Sequence, residues 1–594
     1  MSHSSLAKVS SSPLHANTLA GFFASLSMTG LVIGFLCFYV SLYPMLLPRV
    51  WWLQAIGSAL SGAIGYSFGK MIASGVDIAC LLVKKPMIRI AQQYYRMTIS
   101  VLLLITFGFA IYRWLIVKEI SALMDMPSDS ILITLASTSL ALVIWLMLIA
   151  IGRWLVLLVE WLVNLVAPKL NVPVRFLTWL VISVLMVSAI VEAGQHYVWQ
   201  PVLQKISQSA LKRNQAPPKT LTAPTSPFKS GFIAQANQKP AQTWEQLGHY
   251  GQRFVSLGLS ASEITEVTGR PALEPIRVFV GLANQEPSEI LLQNIVKTAI
   301  DELDRTHAWQ RKYIVVQGAT GRGWVEEYSS LAAEYLTDGD IASVVVQYSY
   351  LPSQVSFLMD RMASSSANTQ LIEAIEKKLA TLPKDQRPKL ILAGESLGAF
   401  ATQSAFKDEN DLVSRIDGAV WVGTPRLSRL WETLVANRQS PSTESLPVIN
   451  HGKHIRFMDY VDTLTPAGHP QGQLLDQDWQ APRIVFLQHA LDPIVWWSTD
   501  MLWQRPDWMH EQKGRDVVKI PTWLPLISLG ELTLDMPASS KVPAGHGHIY
   551  QYETTRAWQA VLDKSDISAD KINQAIEQRI KKLLPEKNHG SKTN

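Results

Sequence analysis

Thiols are almost missing from this chain: Cys37 and Cys80 are its two cysteines, and both stand in apolar stretches near the N-terminus. The larger remainder, with none, cannot close an intramolecular disulfide or build a cysteine-ligated metal site. Charge is also scarce, at 17% of 594 residues, against about 25% in ordinary soluble domains. The deficit has a location. Residues 1–193 hold 12 basic and 6 acidic side chains, an excess of +6, while the rest carries −1. The overall excess of +5 therefore belongs to the apolar front part and gives no basic face for nucleic acid or another polyanion. With 48% hydrophobic residues, a disordered chain is excluded as well.

What the front part has instead is long apolar runs, at residues 19–47, 50–83, 98–117, 130–152 and 176–193. Each approaches or exceeds the roughly 20 residues that cross a bilayer. Five spans are expected, with residues 153–168, broken by Arg153, Glu160 and Trp161, lying along the interface. Lys70 and Asp77, two helical turns apart, either pair or reach for the interface; an intramembrane ion path is the rival reading. Basic residues set the orientation. An inside N-terminus puts Lys8, Lys84, Lys85, Arg89, Arg96, Arg153, Lys169 and Arg175 within, against Arg49, Arg113 and Lys118 without. Five crossings then carry everything after Ala193 out of the cytoplasm. The predicted organisation is an all-α transmembrane domain over 1–193, a Pro/Ser/Thr-rich tether over 194–242, and a catalytic domain over 243–594.

In that last domain the rhythm changes to short apolar runs at 276–280, 313–316, 343–347, 389–393, 418–422, 455–458 and 484–487, spaced widely enough for crossover helices. Continuous rather than alternating apolar runs predict strands buried on both faces, hence an α/β fold with a doubly wound, mostly parallel sheet.

The run Lys389-Leu-Ile-Leu-Ala-Gly394-Glu395-Ser396-Leu397-Gly398 ends one of these strands in Gly-x-Ser-x-Gly and opens a helix. Composition alone would give the five-residue pattern in roughly one chain in eight of this length. The flanking strand and helix lift it above that background, because a nucleophilic serine needs a tight strand-to-helix turn between glycines. The fold's chain order then asks for an acid and a histidine downstream. Asp492 follows the strand 484–487, with Asp459 and Asp462 as competitors, and each is otherwise an ordinary strand-end turn residue. His546 and His548, in Ala544-Gly-His-Gly-His, are the candidate bases; as a His-x-His metal pair they lack a companion ligand at suggestive spacing. The oxyanion donors expected are the amides of Leu397 and of Thr320 and Gly321, in a glycine-rich loop after the strand 313–316. That loop lacks the spacing of a P-loop or a dinucleotide fingerprint. No cofactor is called for. Trp496, Trp497, Trp503 and Trp508 read equally as an acyl-binding wall and as core.

The blocks Pro275-Ile-Arg-Val-Phe-Val-Gly-Leu, Thr320-Gly-Arg-Gly-Trp-Val, Gly394-Glu-Ser-Leu-Gly, Gln488-His-Ala-Leu-Asp-Pro-Ile-Val-Trp-Trp and Pro543-Ala-Gly-His-Gly-His resemble bacterial membrane-anchored α/β-hydrolases with an N-terminal multi-helix membrane domain. The resemblance covers nearly the whole chain. It implies a serine-hydrolase fold and names no substrate. Taken with the residues, it predicts an extracytoplasmic esterase using a Ser396, His548 and Asp492 triad on a lipid or other acyl ester, bound to the lipid bilayer. A non-catalytic binding module and a transporter with a hydrolase-like appendage are the rivals.

Overall fold

The structure, a computed structural model, describes residues 26–82, 92–166, 168–169, 171–216, 218, 220–233, 239–359, 361–519 and 522–584. The beginning of the first apolar run and the basic residues Lys8, Lys84, Lys85 and Arg89 lie outside them.

All seven expected strands are present. They are β1 (Ile276–Val280), β2 (Tyr313–Gly318), β3 (Ile341–Val346), β4 (Lys389–Glu395), β5 (Gly418–Val422), β6 (Ile455–Met458) and β7 (Arg483–Leu487). They form one sheet of order β1-β3-β2-β4-β5-β7-β6, and every pairing in it is parallel. The apolar runs are continuous because both faces are covered. Val315, Ile391, Ala393, Val420, Val422, Val485 and Leu487 join a core that includes Leu331, Tyr335, Trp558, Ile572 and Ile576 from three helices. The alternate residues Ile314, Val316, Leu392, Ala419 and Trp421 are buried too, and the two-residue period of a strand puts them on the other face. A parallel sheet brings all its strand C-termini to one edge. The order β2-β4-β5-β7 makes neighbours of the ends that precede Thr320, Ser396, Gly423 and Asp492.

The chain divides into two compact units, Met1–Ser183 with Pro521–Asp535, and Val184–Ile520 with Met536–Asn594. In the first, helices Met28–Ser41, Trp51–Leu82, Gln92–Leu123 and Ile131–Val166 enclose a core of Phe35, Phe38, Tyr39, Tyr66 and Trp145. Small residues permit the close approach: a Cβ on Gly34 or Gly62 would come within 2.5 or 2.8 Å of the Trp145 ring. Three helices, Tyr94–Leu123, Ile131–Val166 and Pro173–Gln215, are long and apolar enough to cross a membrane, as befits a membrane protein. Lys70 and Asp77 are both exposed on their helix, with no ion pair between them among the described residues.

Two local expectations change. Arg153 to Val166 continues the helix that begins at Ile131 rather than forming a separate interfacial segment. Helical structure also runs on through Gln195–Trp199 and Gln200–Gln215, where a tether was expected. Loss of apolar periodicity was a poor guide there, because an exposed helix built largely from Gln, Lys and Leu needs no apolar face to retain its backbone propensity.

The first unit also takes in carboxylates from late in the sequence. Arg49, fully buried, donates to Asp535 and Glu531 through its guanidinium, and its Nη2 also reaches the Glu531 carbonyl at 2.8 Å. The Leu46 and Leu47 amides donate to Asp535 Oδ2 at 2.7 and 3.3 Å, and Ser61 Oγ to Glu531 Oε1 at 2.9 Å. Every charge in the cluster has a partner, as buried charges require.

Candidate active site

Between β4 and helix Leu397–Gln403, Ser396 adopts φ 54° and ψ −119°. A non-glycine residue at such positive φ costs about 1–3 kcal/mol and persists only where its surroundings impose it. Here the Ser396 amide donates to the Val422 carbonyl at 2.8 Å, extending the β4–β5 pairing past Glu395, and its carbonyl accepts from Phe400 N at 3.0 Å. The flanking glycines make room for backbone against backbone. A Cβ on Gly398 would stand 2.1 Å from the Gly318 carbonyl oxygen, and one on Gly394 would stand 2.5 Å from the Gly398 carbonyl carbon. Gly398→Ala is therefore expected to destroy the turn, because no side chain can swing away to relieve the clash. Yield of folded protein and reactivity of Ser396 should both fall sharply; a variant with wild-type melting and reactivity would refute this account of the turn.

Asp492, wholly buried, caps the short helix Pro493–Trp496 by accepting the Ile494 amide on Oδ1 at 2.9 Å. Its Oδ2 lies 2.5 Å from His548 Nδ1 and accepts the Tyr550 hydroxyl at 2.6 Å. Facing a carboxylate, Nδ1 carries the proton, which leaves Nε2 as the basic nitrogen. Buried Nε2 has no hydrogen-bond partner among the described residues. The His548 amide is tied to the Ser539 carbonyl at 2.9 Å, and the ring rests on Gly423, where a Cβ would come within 2.6 Å of Cε1. Gly423 follows the residue whose carbonyl receives the Ser396 amide, so the serine turn and the imidazole meet adjacent backbone units at the end of β5.

The other candidates are placed elsewhere. His546 Nδ1 is 3.8 Å from Asp516 and His546 does not share Asp492. Asp459 accepts the Tyr460 amide at 2.7 Å, and Asp462 faces Arg515 at 3.3 Å. Leu397 opens its helix, so its amide is one of the N–H groups without an intrahelical acceptor. Of the two loop residues, Thr320 spends its amide on the Trp324 carbonyl at 2.8 Å, whereas Gly321 packs against Leu351 and Ser356. Trp496 is core, its indole N–H bonded to the Ala490 carbonyl at 3.0 Å, while Trp503 is exposed.

Sequence reasoning passed over Tyr550, His489 and Glu553, which surround the acid. The His489 ring stacks on Tyr550 at 4.1 Å and 20°, its Nδ1 meets the Gly547 carbonyl at 2.9 Å, and its Nε2 stands 3.4 Å from Glu553. Burial disfavours the charged form of His489, but Glu553, the Gly547 carbonyl and Asp492 outweigh it and hold the pKa above the usual histidine value. The signal available was proximity in sequence: His489 stands three residues before Asp492, and Tyr550 two after His548.

A parallel sheet with a serine on a strained turn after one strand and an aspartate–histidine pair after a near neighbour is the architecture of an α/β hydrolase. Comparison with family models agrees: residues 276–575 match the alpha/beta-hydrolase family, and residues 42–258 match that family's N-terminus. The chain belongs to this family. No curated protein and no solved structure matches it.

Proposed function

We propose that this is a membrane-anchored serine hydrolase that cleaves a carboxylic ester, of a lipid or another apolar acyl group, outside the cytoplasm. Ser396 Oγ attacks the carbonyl carbon as His548 Nε2 takes its proton. Asp492 holds the imidazole and stabilises the imidazolium, and the oxyanion is received by the Leu397 amide and the Thr320–Gly321 loop, with Gly321 the donor there. His548 returns the proton to the departing alcohol, and water then frees the acid by the same route. The observation that carries this reading is the buried Asp492–His548 pair, whose unpartnered Nε2 lies at the strand end to which Ser396 is bonded. A fluorophosphonate probe, which reports an activated serine, is the test. It should label the wild type and fail on Ser396→Ala.

The apolar substrate rests on the membrane helices. The side of the membrane is supported by the basic-residue count and by a parity argument. Arg49 contacts Glu531 and Asp535 directly, so the chain returns to one side between them and makes an even number of crossings. The three helices above supply three crossings, and the expected span over residues 50–83, which folds as the 32-residue helix Trp51–Leu82, is read as the fourth. With the first span expected from the apolar run 19–47 the total is odd. A cysteine placed at exposed Lys541, in a Cys37→Ser, Cys80→Ser background, should react with a membrane-impermeant maleimide in intact cells. Protection until lysis would put the hydrolase in the cytoplasm.

A further inference from the structure

We propose that Tyr550 is a positioning residue of this site, its hydroxyl fixing the orientation of Asp492 and sharing the charge that the carboxylate presents to His548. The proposal rests on the triad reading above and deepens it.

The Tyr550 side chain is fully buried and its hydroxyl has both of its roles assigned. The oxygen accepts the His489 backbone amide at 3.2 Å, and the proton goes to Asp492 Oδ2 at 2.6 Å. Burial and the neighbouring carboxylate push the phenol far above its ordinary pKa, so it stays a donor throughout the working range of a histidine. Oδ2 is the same oxygen that meets His548 Nδ1. Two donors therefore converge on one oxygen while the Ile494 amide occupies the other, which leaves Asp492 no freedom to rotate. The ring is fixed in turn. It lies flat on His489 and edge-on to His548, at 5.7 Å and 81°. His489, with Glu553 behind it, also binds the Gly547 carbonyl in the loop that carries His548. Base and acid are thus held by a single aromatic residue two positions after the base.

Charge sharing has a sign that a packing role lacks. Each hydrogen bond to a carboxylate disperses its charge, so removing the Tyr550 donor leaves Asp492 a stronger partner for the imidazolium that forms during reaction. The charged and titratable groups around this pair are Asp492 and His489 after β7, Tyr550 and Glu553 at the start of the following helix, and Glu395 at the end of β4.

The test uses the full-length chain in detergent and the second-order rate of fluorophosphonate labelling as a function of pH. Tyr550→Phe, which retains the ring, should label about tenfold more slowly, the scale of a hydrogen bond to a charged group. Its acid limb should move to higher pH, and the slowing should vanish in an Asp492→Asn background. Should Tyr550→Phe fail to fold, 3-fluorotyrosine at position 550 keeps size and shape while strengthening the donor, and should move the acid limb to lower pH. A superimposable pH profile, or the same slowing with and without Asp492, overturns the role of Tyr550. A wild-type chain that labels no faster than Ser396→Ala overturns the triad itself, and the proposal with it.

Discussion

Ser396→Ala should lower ester turnover by more than about a thousandfold and remove fluorophosphonate labelling, with no effect on folding, because the substitution deletes the attacking atom and leaves the turn's backbone bonds intact. Asp492→Asn should cost nearly as much for a different reason. An amide facing His548 Nδ1 can donate to it and favour the wrong tautomer, and it no longer stabilises the imidazolium. His548→Gln should be as damaging as the serine change, while His546→Gln should leave turnover within about a factor of a few, the size of a surface effect. Members of a catalytic unit act together, so Ser396→Ala with His548→Gln should be no worse than either alone. Full activity in His548→Gln, or its loss in His546→Gln, would move the base to the other loop histidine. Equal turnover in all of these variants would place the chemistry on other residues, and a folded wild type that neither turns over an ester nor labels would make the fold a binding module.

The second large effect is expected at Arg49. Replacing it by Ala leaves Glu531 and Asp535 buried without their counter-charge, and breaking a buried pair from one side costs about 3–5 kcal/mol. That is a large fraction of the stability of any domain. Arg49→Ala should therefore accumulate poorly and melt well below the wild type in detergent. Arg49→Lys should fall between them, since an ammonium keeps the charge but cannot span both carboxylates as the guanidinium does. The triple variant Arg49→Met, Glu531→Gln, Asp535→Asn should recover much of the loss, because the penalty comes from an uncompensated charge more than from the missing attraction. An Arg49→Ala chain as stable as the wild type would show that solvent reaches the cluster.

Where a signal is local, sequence and structure coincide. The seven strands were readable because a strand buried on both faces has no polar positions, and seven separated apolar runs of that kind leave few other folds. Ser396 was readable because the strained turn that exposes it demands glycine two positions away on each side. The chain order that put Asp492 and His548 on the candidate list is a consequence of the fold, and three of the five expected membrane spans recur as helices long and apolar enough to cross.

Only the tertiary structure decided the rest, and the reason is common to every case: these choices depend on which distant segments become neighbours. His546 and His548 have nearly identical local sequence, yet one imidazole meets Asp492 and the other Asp516. The pairing of β7 with β5, which sets Asp492 beside the serine turn and leaves β6 with its two aspartates at the sheet edge, is a register of backbone hydrogen bonds that no side-chain pattern encodes. Tyr550 and Glu531 carry no local signal of their roles until folding delivers one to the acid and the other to a guanidinium 482 positions away. Composition sets which groups are costly to bury; three-dimensional packing sets which partner offsets that cost.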